Sequence, residues 1–258
     1  MGGISGSALD SLRERLRGRV LAPQDPGYDE SRSIYNAMVD RRPAAIAQCV
    51  DAADVQATIA FAQDTGVPLA VRGGGHSGPG LCLVDDGITL DLSPMRWARV
   101  DPATSSMQLG GGSQLGDADH AAHGFGLAMP TGINSTTGVG GLTLGGGHGH
   151  LTRKYGLTID NLLAADVVLA DGRFVTTSEK DYPDLFWALR GGGGNFGVVT
   201  SFTFRLHPVH TVGVAVTVWP IDRTGEVLRW YREFLPTAPD DLSGFFAVMV
   251  VPPGPPFP

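Results

Sequence analysis

Hydrophobic positions along this chain repeat at two different periods. Between Asp54 and Asp64, Val55, Ile59 and Ala62 fall at i, i+4 and i+7, the spacing of one buried helix face, and Gly66 supplies a stop. A shorter helix is predicted over Ala8–Arg17 with Ser7 as its N-cap, and further helices over Leu115–His123 and Tyr182–Leu189. Strand-like runs fill the intervals: Ala44–Cys49, Leu69–Val71, the period-two segment Ile88–Leu92, and Val198–Phe204. Leu162–Ala170 and Phe174–Thr177 flank Asp171-Gly172, a strong hairpin signal. Strands with scattered helices, rather than strict alternation, predict an α+β fold and not a doubly wound parallel sheet. Past Pro208 the pattern restarts, with a strand over Val212–Trp219, a helix over Arg223–Phe234 and a strand over Ser243–Val251. The closing Pro252–Pro258 can continue neither a sheet nor a helix. One unit is therefore expected over residues 1–207, and the beginning of a second, incomplete one over 208–258.

Composition narrows the partners. The 258 residues carry a formal charge of −7, with 42% hydrophobic and 17% charged residues, which suits a packed core and excludes a disordered chain. An acidic balance argues against nucleic acid or an anionic membrane surface as the main partner. Cys49 and Cys82 are too few for a disulfide framework or a cysteine-rich zinc site. Met1–Ser7 shows no basic region followed by an apolar run, and Phe245–Val251, the longest apolar stretch, is far short of the ~18 residues of a membrane span. A soluble, cytoplasmic protein is expected.

Glycine is the departure. There are 37 glycines, about twice the usual ~7% share, gathered at 73–75, 110–112, 140–141, 145–147 and 191–194. Each cluster adjoins a strand-like run, where glycine permits positive φ and close backbone approach to a ligand. Tight turns alone would give the same clusters. Two stretches match G-x-G-x-x-G. Gly192–Gly197 stands after a helix and before a strand, the reverse of a dinucleotide-binding turn, and Gly73–Gly78 leads into Pro79 and a β-like run. With lysine only at 154 and 180, no phosphate-binding P-loop exists. His148 and His150 have no third metal ligand nearby, and Ser77 beside His76 cannot form a triad. In Arg72-Gly-Gly-Gly-His-Ser77, consecutive small residues after a strand can form a nest of backbone N–H groups that holds a pyrophosphate without lysine. His76 would then present a neutral, nucleophilic imidazole beside the ligand. Standing alone, the same loop reads as an ordinary solvent-facing one.

The loop does not stand alone. Val71–Ser77, Ile88–Ser93, Thr131–Gly141, Gly145–Gly149, Arg153–Leu157 with Asp160-Asn161, and Leu189–Gly197, in this order, resemble the berberine-bridge-enzyme-like flavin oxidoreductases. These belong to the FAD-binding group typified by p-cresol methylhydroxylase and vanillyl-alcohol oxidase. The resemblance spans roughly residues 35 to 207. It implies a two-subdomain FAD-binding domain of the p-cresol methylhydroxylase type, with a truncated α+β substrate domain after it. It implies covalent FAD through His76, matching the histidine that bonds the flavin 8-methyl carbon. Arg72, Gly73, Gly74, Gly75, His76 and Ser77 match the pyrophosphate loop. Thr131, Gly132, Thr136, Thr137, Gly138 and Gly141, with Gly145, Gly146 and Gly149, match loops lining the flavin, and Val198 and Val199 match a strand start near the adenine end.

Departures from the family follow from the same comparison. A second attachment cysteine found in many relatives is Asn134 here, so attachment through His76 only is expected. Thr137 holds a position that governs oxygen access in relatives. The family's catalytic base has no counterpart, and Tyr155 is the nearest substitute. The implied activity is oxidation of an alcohol or amine carbon of a small molecule (a sugar, alkaloid or polyketide) by hydride transfer to flavin N5, with reoxidation by O2. The alternative is a flavin-binding fragment or degenerate relative without catalysis.

Overall fold

Local signals set the first long helix. The structure, a computed structural model, describes residues 4–250. Helix α1 covers Gly6–Arg15 and is capped by Ser5, whose hydroxyl accepts the Ala8 amide, two residues earlier than the cap expected at Ser7. After strand β1 (Arg19–Leu21), helix α2 (Tyr28–Arg32) and strand β2 (Ala45–Gln48) comes helix α3 (Ala52–Thr65). Asp51 accepts the Asp54 amide to start α3, and Gly66, at φ 66°, ends it by returning its N–H to the last carbonyls. Val55, Ile59 and Ala62 face inward as their spacing requires. Asp54 is buried too, because its carboxylate takes the backbone N–H groups of Arg17, Gly18 and Val50 at 2.8–3.0 Å, tying α1 to α3.

Two sheets follow from the strand set. Strands β3 (Leu69–Arg72) and β4 (Ile88–Asp91) complete a four-stranded sheet of order β1-β2-β4-β3, in which β2 and β3 run parallel to β4. All four β4 residues are buried although they alternate apolar and polar in sequence, since β4 lies between two parallel neighbours with α3 packed nearby. Strands β5 (Ala98–Asp101) and β6 (Ser106–Gly110), helix α4 (Leu115–His123), and the two-residue strand β7 (Leu127–Ala128) come next. Short helices α5 (Val139–Leu144) and α6 (Thr152–Tyr155) precede strands β8 (Leu162–Val168) and β9 (Phe174–Ser178), helix α7 (Pro183–Leu189) and strand β10 (Val198–Arg205). The second sheet is antiparallel throughout, of order β5-β6-β10-β8-β9. The β8–β9 turn has Gly172 at φ 81°, as Asp171-Gly172 predicts, with Leu169 already bonded across the turn to Arg173. A final two-residue strand, β11 (His207–Pro208), pairs with β7.

Each sheet has its own core. Ala45, Ala47, Val55, Ile59, Ile88 and Leu90 build the first; Met107, Leu109, Leu115, Phe202 and Phe204 build the second. β10 enters where they meet, Val198 packing in the first core and Val199 in the second. Gln56 Nε2 donates to Gly172 O at 2.6 Å and Gln63 Nε2 to Ala170 O, fastening α3 to the β8–β9 hairpin. This is the mixed helix-and-sheet architecture expected of a two-subdomain FAD-binding domain.

Past Pro208 the expectation fails in part. Helix α8 (Thr224–Phe234) forms, but among the described residues neither 212–219 nor 243–250 is a strand; Val251 lies outside them. Val212, Val214, Val216 and Val218 alternate as a strand would, yet all four are exposed, with no neighbouring strand to take their backbone groups. A period-two pattern alone does not make a strand; the ladder partner does.

Candidate functional site

Strand β3 delivers Arg72 to the edge of the first sheet. Its guanidinium reaches Asp91 on β4 at 3.3 Å and the Ser33 carbonyl at 3.2 Å, while Nε is buried with no hydrogen-bond partner. Asp91 is fully buried and also takes the Ser93 amide and hydroxyl at 3.0 and 2.9 Å. Arg72 therefore anchors the root of the glycine loop.

The loop itself, Gly73–Ser77, is held by few internal bonds. Gly75 (φ 73°) accepts the Tyr35 amide at 3.0 Å, and Ser77 takes the amides of Gly80 and Leu81. Among the described residues, the amides of Gly74, Gly75 and His76 donate to no protein acceptor, while the Ser77 amide is directed at the Cys82 sulfur. Consecutive uncommitted N–H groups suit an anion. A Cβ on Gly74 would lie 2.4 Å from the Gly138 nitrogen and 2.5 Å from its Cα. A Cβ on Gly138 would meet Gly74 just as closely. The two glycines are thus required by a backbone crossing between loops, a cause distinct from the ligand approach that glycine clusters suggest in sequence.

That crossing places His76 against Thr131–Gly141. His76 Nε2 lies 3.0 Å from Thr136 Oγ1 and Nδ1 3.4 Å from Thr137 Oγ1, and Tyr35 stacks on the imidazole at 4.3 Å and 16°. Gly145–Gly149 packs behind: a Cβ on Gly149 would fall 1.7 Å from Thr131 O, and one on Gly132 would press Leu142 and Leu115. Gly146 sits at φ 113° and accepts the Ile159 amide. Gly141 faces open space, with nothing within 4 Å of where its Cβ would be. Val198 and Val199 bury their side chains in the two cores, leaving backbone as their means of meeting a ligand.

Tyr155 belongs to another neighbourhood. It stacks on His207 at 4.0 Å and 21°, carries Lys154 Nζ 5.3 Å from its ring centre, and lines a cavity of about 530 Å³ with His150, His210, Asp240 and Asp241. Cys49 and Cys82 are buried and unpaired; burial pushes the Cys49 thiol up to about 12 and raises Cys82, so neither is a thiolate at neutral pH. Among the described residues no cluster of three metal-ligating side chains occurs, and no helix is long and apolar enough to cross a membrane. Sequence reasoning assigned no role to Tyr35, an aromatic in a polar stretch that is 72% exposed and offers no periodic signal.

The residues present fit an extended dinucleotide flavin. An uncommitted run of amides at Gly74–His76, an accessible imidazole at His76 and an open glycine face on α5 lie on loops that meet at the Gly74–Gly138 crossing. Residues 43–178 match the protein family described as FAD binding domain. The (R)-6-hydroxynicotine oxidase of Paenarthrobacter nicotinovorans is 43% identical over 192 residues, covering 74% of this chain and 42% of that protein. The structure of Physcomitrella patens BBE-like 1 superposes with a TM-score of 0.75 at 33% identity, covering 78% of this chain and 44% of that one. Glucooligosaccharide oxidase from Acremonium strictum, described with a 6-S-cysteinyl, 8α-N1-histidyl FAD, gives 0.74 at 36% identity over 78% of this chain and 42% of its own. The chain spans about half the length of the curated relatives it matches.

Proposed function

The chain belongs to the FAD-binding-domain family of FAD-linked oxidoreductases, and from that premise we propose that it binds FAD covalently through His76 and serves oxidation of a small molecule. The observation that carries this reading is the meeting of His76 with Thr136 and Thr137 at the Gly74–Gly138 crossing. Residues 1–207 form the FAD-binding unit and 208–258 open the substrate domain. The amides of Gly74–His76 bind the diphosphate, and Arg72, committed to Asp91, keeps the loop in place rather than contacting phosphate directly. Thr131, Gly132, Gly138, Gly141, Gly145, Gly146 and Gly149 wall the flavin with backbone and small side chains. Val198 and Val199 fix the strand start at the adenine end.

Bound FAD supplies the hydride acceptor, and dioxygen its reoxidation. The protein's part is orientation and exclusion of water. The substrate class, an alcohol or amine carbon of a small molecule, follows the relatives named for a hydroxynicotine and for oligosaccharides. A second reading, flavin binding without turnover, is favoured by the side chains beside His76: Thr136, Thr137 and Asn134 are not bases near neutral pH. Tyr155, whose ring is stacked on His207, remains the candidate base to mutate first.

Acid precipitation tests the central claim. Wild-type protein should retain yellow colour in the washed pellet, and His76→Ala should lose it. A white pellet from protein that was yellow in solution ends the covalent reading.

A further inference from the structure

Three hydrogen bonds around Asn134 fix which nitrogen of His76 carries the proton. One atom of the Asn134 carboxamide lies 3.1 Å from the Thr136 backbone nitrogen and 2.9 Å from Thr136 Oγ1. A backbone N–H can only donate, so that atom is the carboxamide oxygen, and its usual ambiguity with nitrogen is removed. An oxygen of this kind only accepts, so Thr136 gives it its single hydroxyl proton. Thr136 Oγ1 must then accept from its other partner, His76 Nε2, at 3.0 Å. Neutral imidazole carries one N–H, which leaves Nδ1 with the bare lone pair. Among the described residues its hydrogen-bonding neighbour is Thr137 Oγ1, at a weak 3.4 Å.

We infer that Asn134 and Thr136 are positioning residues that hold His76 as the Nε2–H tautomer and so leave Nδ1 free, the nitrogen named in the 8α-N1-histidyl link of the Acremonium strictum oxidase. The inference rests on the covalent reading above for its second half only. Attachment forms a bond from Nδ1 to the flavin 8-methyl carbon and breaks one methyl C–H and, in the end, the Nε2–H. The two electrons enter the flavin ring, and dioxygen takes them with two protons as hydrogen peroxide. Once Nε2 has lost its proton, Thr136 reverses and donates to it, releasing Asn134. Asn134 thus has a task of its own: it orders the attachment.

Two readouts on the full chain separate the halves. In ¹⁵N-labelled wild type made without flavin attachment, long-range correlation spectra should show His76 Nε2 protonated and Nδ1 bare, whatever the cofactor. Thr136→Val should mix the tautomers, and Thr136→Ser should restore the wild-type pattern. In flavin-loaded protein, Thr136→Val and Asn134→Ala should keep bound flavin yet form the covalent bond more slowly, by about fivefold for one ordinary hydrogen bond lost. Thr136→Ser and Asn134→Asp, which keep the hydroxyl and the acceptor oxygen, should form it at the wild-type rate. An Nδ1–H tautomer in wild type overturns the inference outright. Unchanged attachment rates in both Thr136→Val and Asn134→Ala overturn the link to attachment, and complete absence of flavin uptake by wild type overturns the flavin reading while the tautomer result stands.

Discussion

Replacing Gly74 by alanine adds one carbon at the crossing of two loops. That carbon would lie 2.4 Å from the Gly138 nitrogen, 2.5 Å from Gly138 Cα and 3.3 Å from the Thr137 carbonyl carbon, all backbone. Ordinary contact would need about one ångström more. Gly138 has little room to retreat: it bridges to Gln114, and Val139 beside it donates to the Ser113 carbonyl at 2.9 Å. Overpacking of this kind costs about 1–3 kcal/mol. For a chain of this size that is a fall of roughly 2–12 °C in melting temperature.

The assay is thermal unfolding of Gly74→Ala and wild type with and without flavin, using Gly78→Ala as a control in the same loop. No atom lies within 4 Å of a Cβ at Gly78, so that variant should melt like wild type. The loss at Gly74 should be present in the flavin-free protein, and Gly138→Ala should match it. Combining the two should cost less than their sum, because the first substitution already separates the loops. A flavin-free Gly74→Ala that melts within ~1 °C of wild type would refute the crossing as the reason for this glycine.

Gly141→Val should leave stability within about 0.5 kcal/mol of wild type, since the side chain meets open space, yet lower flavin content; normal content measured by absorbance would show that the α5 face meets no ligand. Arg72→Met leaves buried Asp91 without its cation and should cost about 3–5 kcal/mol by chemical denaturation, largely recovered when Asp91→Asn is added. His207 is held below its ordinary value by burial and by Arg205, so its folded pKa lies under its unfolded one. The stability it contributes is present above the unfolded pKa and lost as pH falls through the folded value. Denaturation midpoints between about pH 7.5 and pH 5 should therefore drop less steeply in His207→Gln.

The sequence made the local elements legible because their causes are local. The stop at Gly66 and the turn at Asp171-Gly172 each act within a few residues and appear where their chemistry requires. The cap of α1 falls at Ser5, two residues before the Ser7 expected, and the Asp51 cap of α3 emerges only in the structure. The valines at 212–218 misled because strand pairing is not local, and alternation records only a willingness to pair. The same contrast runs through the site. His76 and its glycine loop stood out as a motif, whereas Tyr35 and Asp91 acquire their roles only through contacts with residues some 40 and 19 positions away. The glycines at 74 and 138 were legible as a need for closeness, but sequence could not say closeness to what.

Who approaches whom matters for how the site is held. Gly74 follows β3, the edge of the first sheet, and Gly138 opens α5, whose Val139 and Leu144 pack in the second core. β10 joins the same two cores a second time, through Val198 and Val199, and Gly111 donates to the Thr200 carbonyl at 2.8 Å just beyond. The two subdomains are therefore pinned by backbone at one place and by buried side chains at another. A ligand lying along the crossing meets main chain from both, and its binding free energy adds to the pinning because it is available only when the loops are together. Flavin should consequently raise the melting temperature of wild type by more than that of Gly74→Ala, where part of its binding free energy goes into closing the separated loops. Equal shifts in the two proteins would mean that the flavin rests on one subdomain alone.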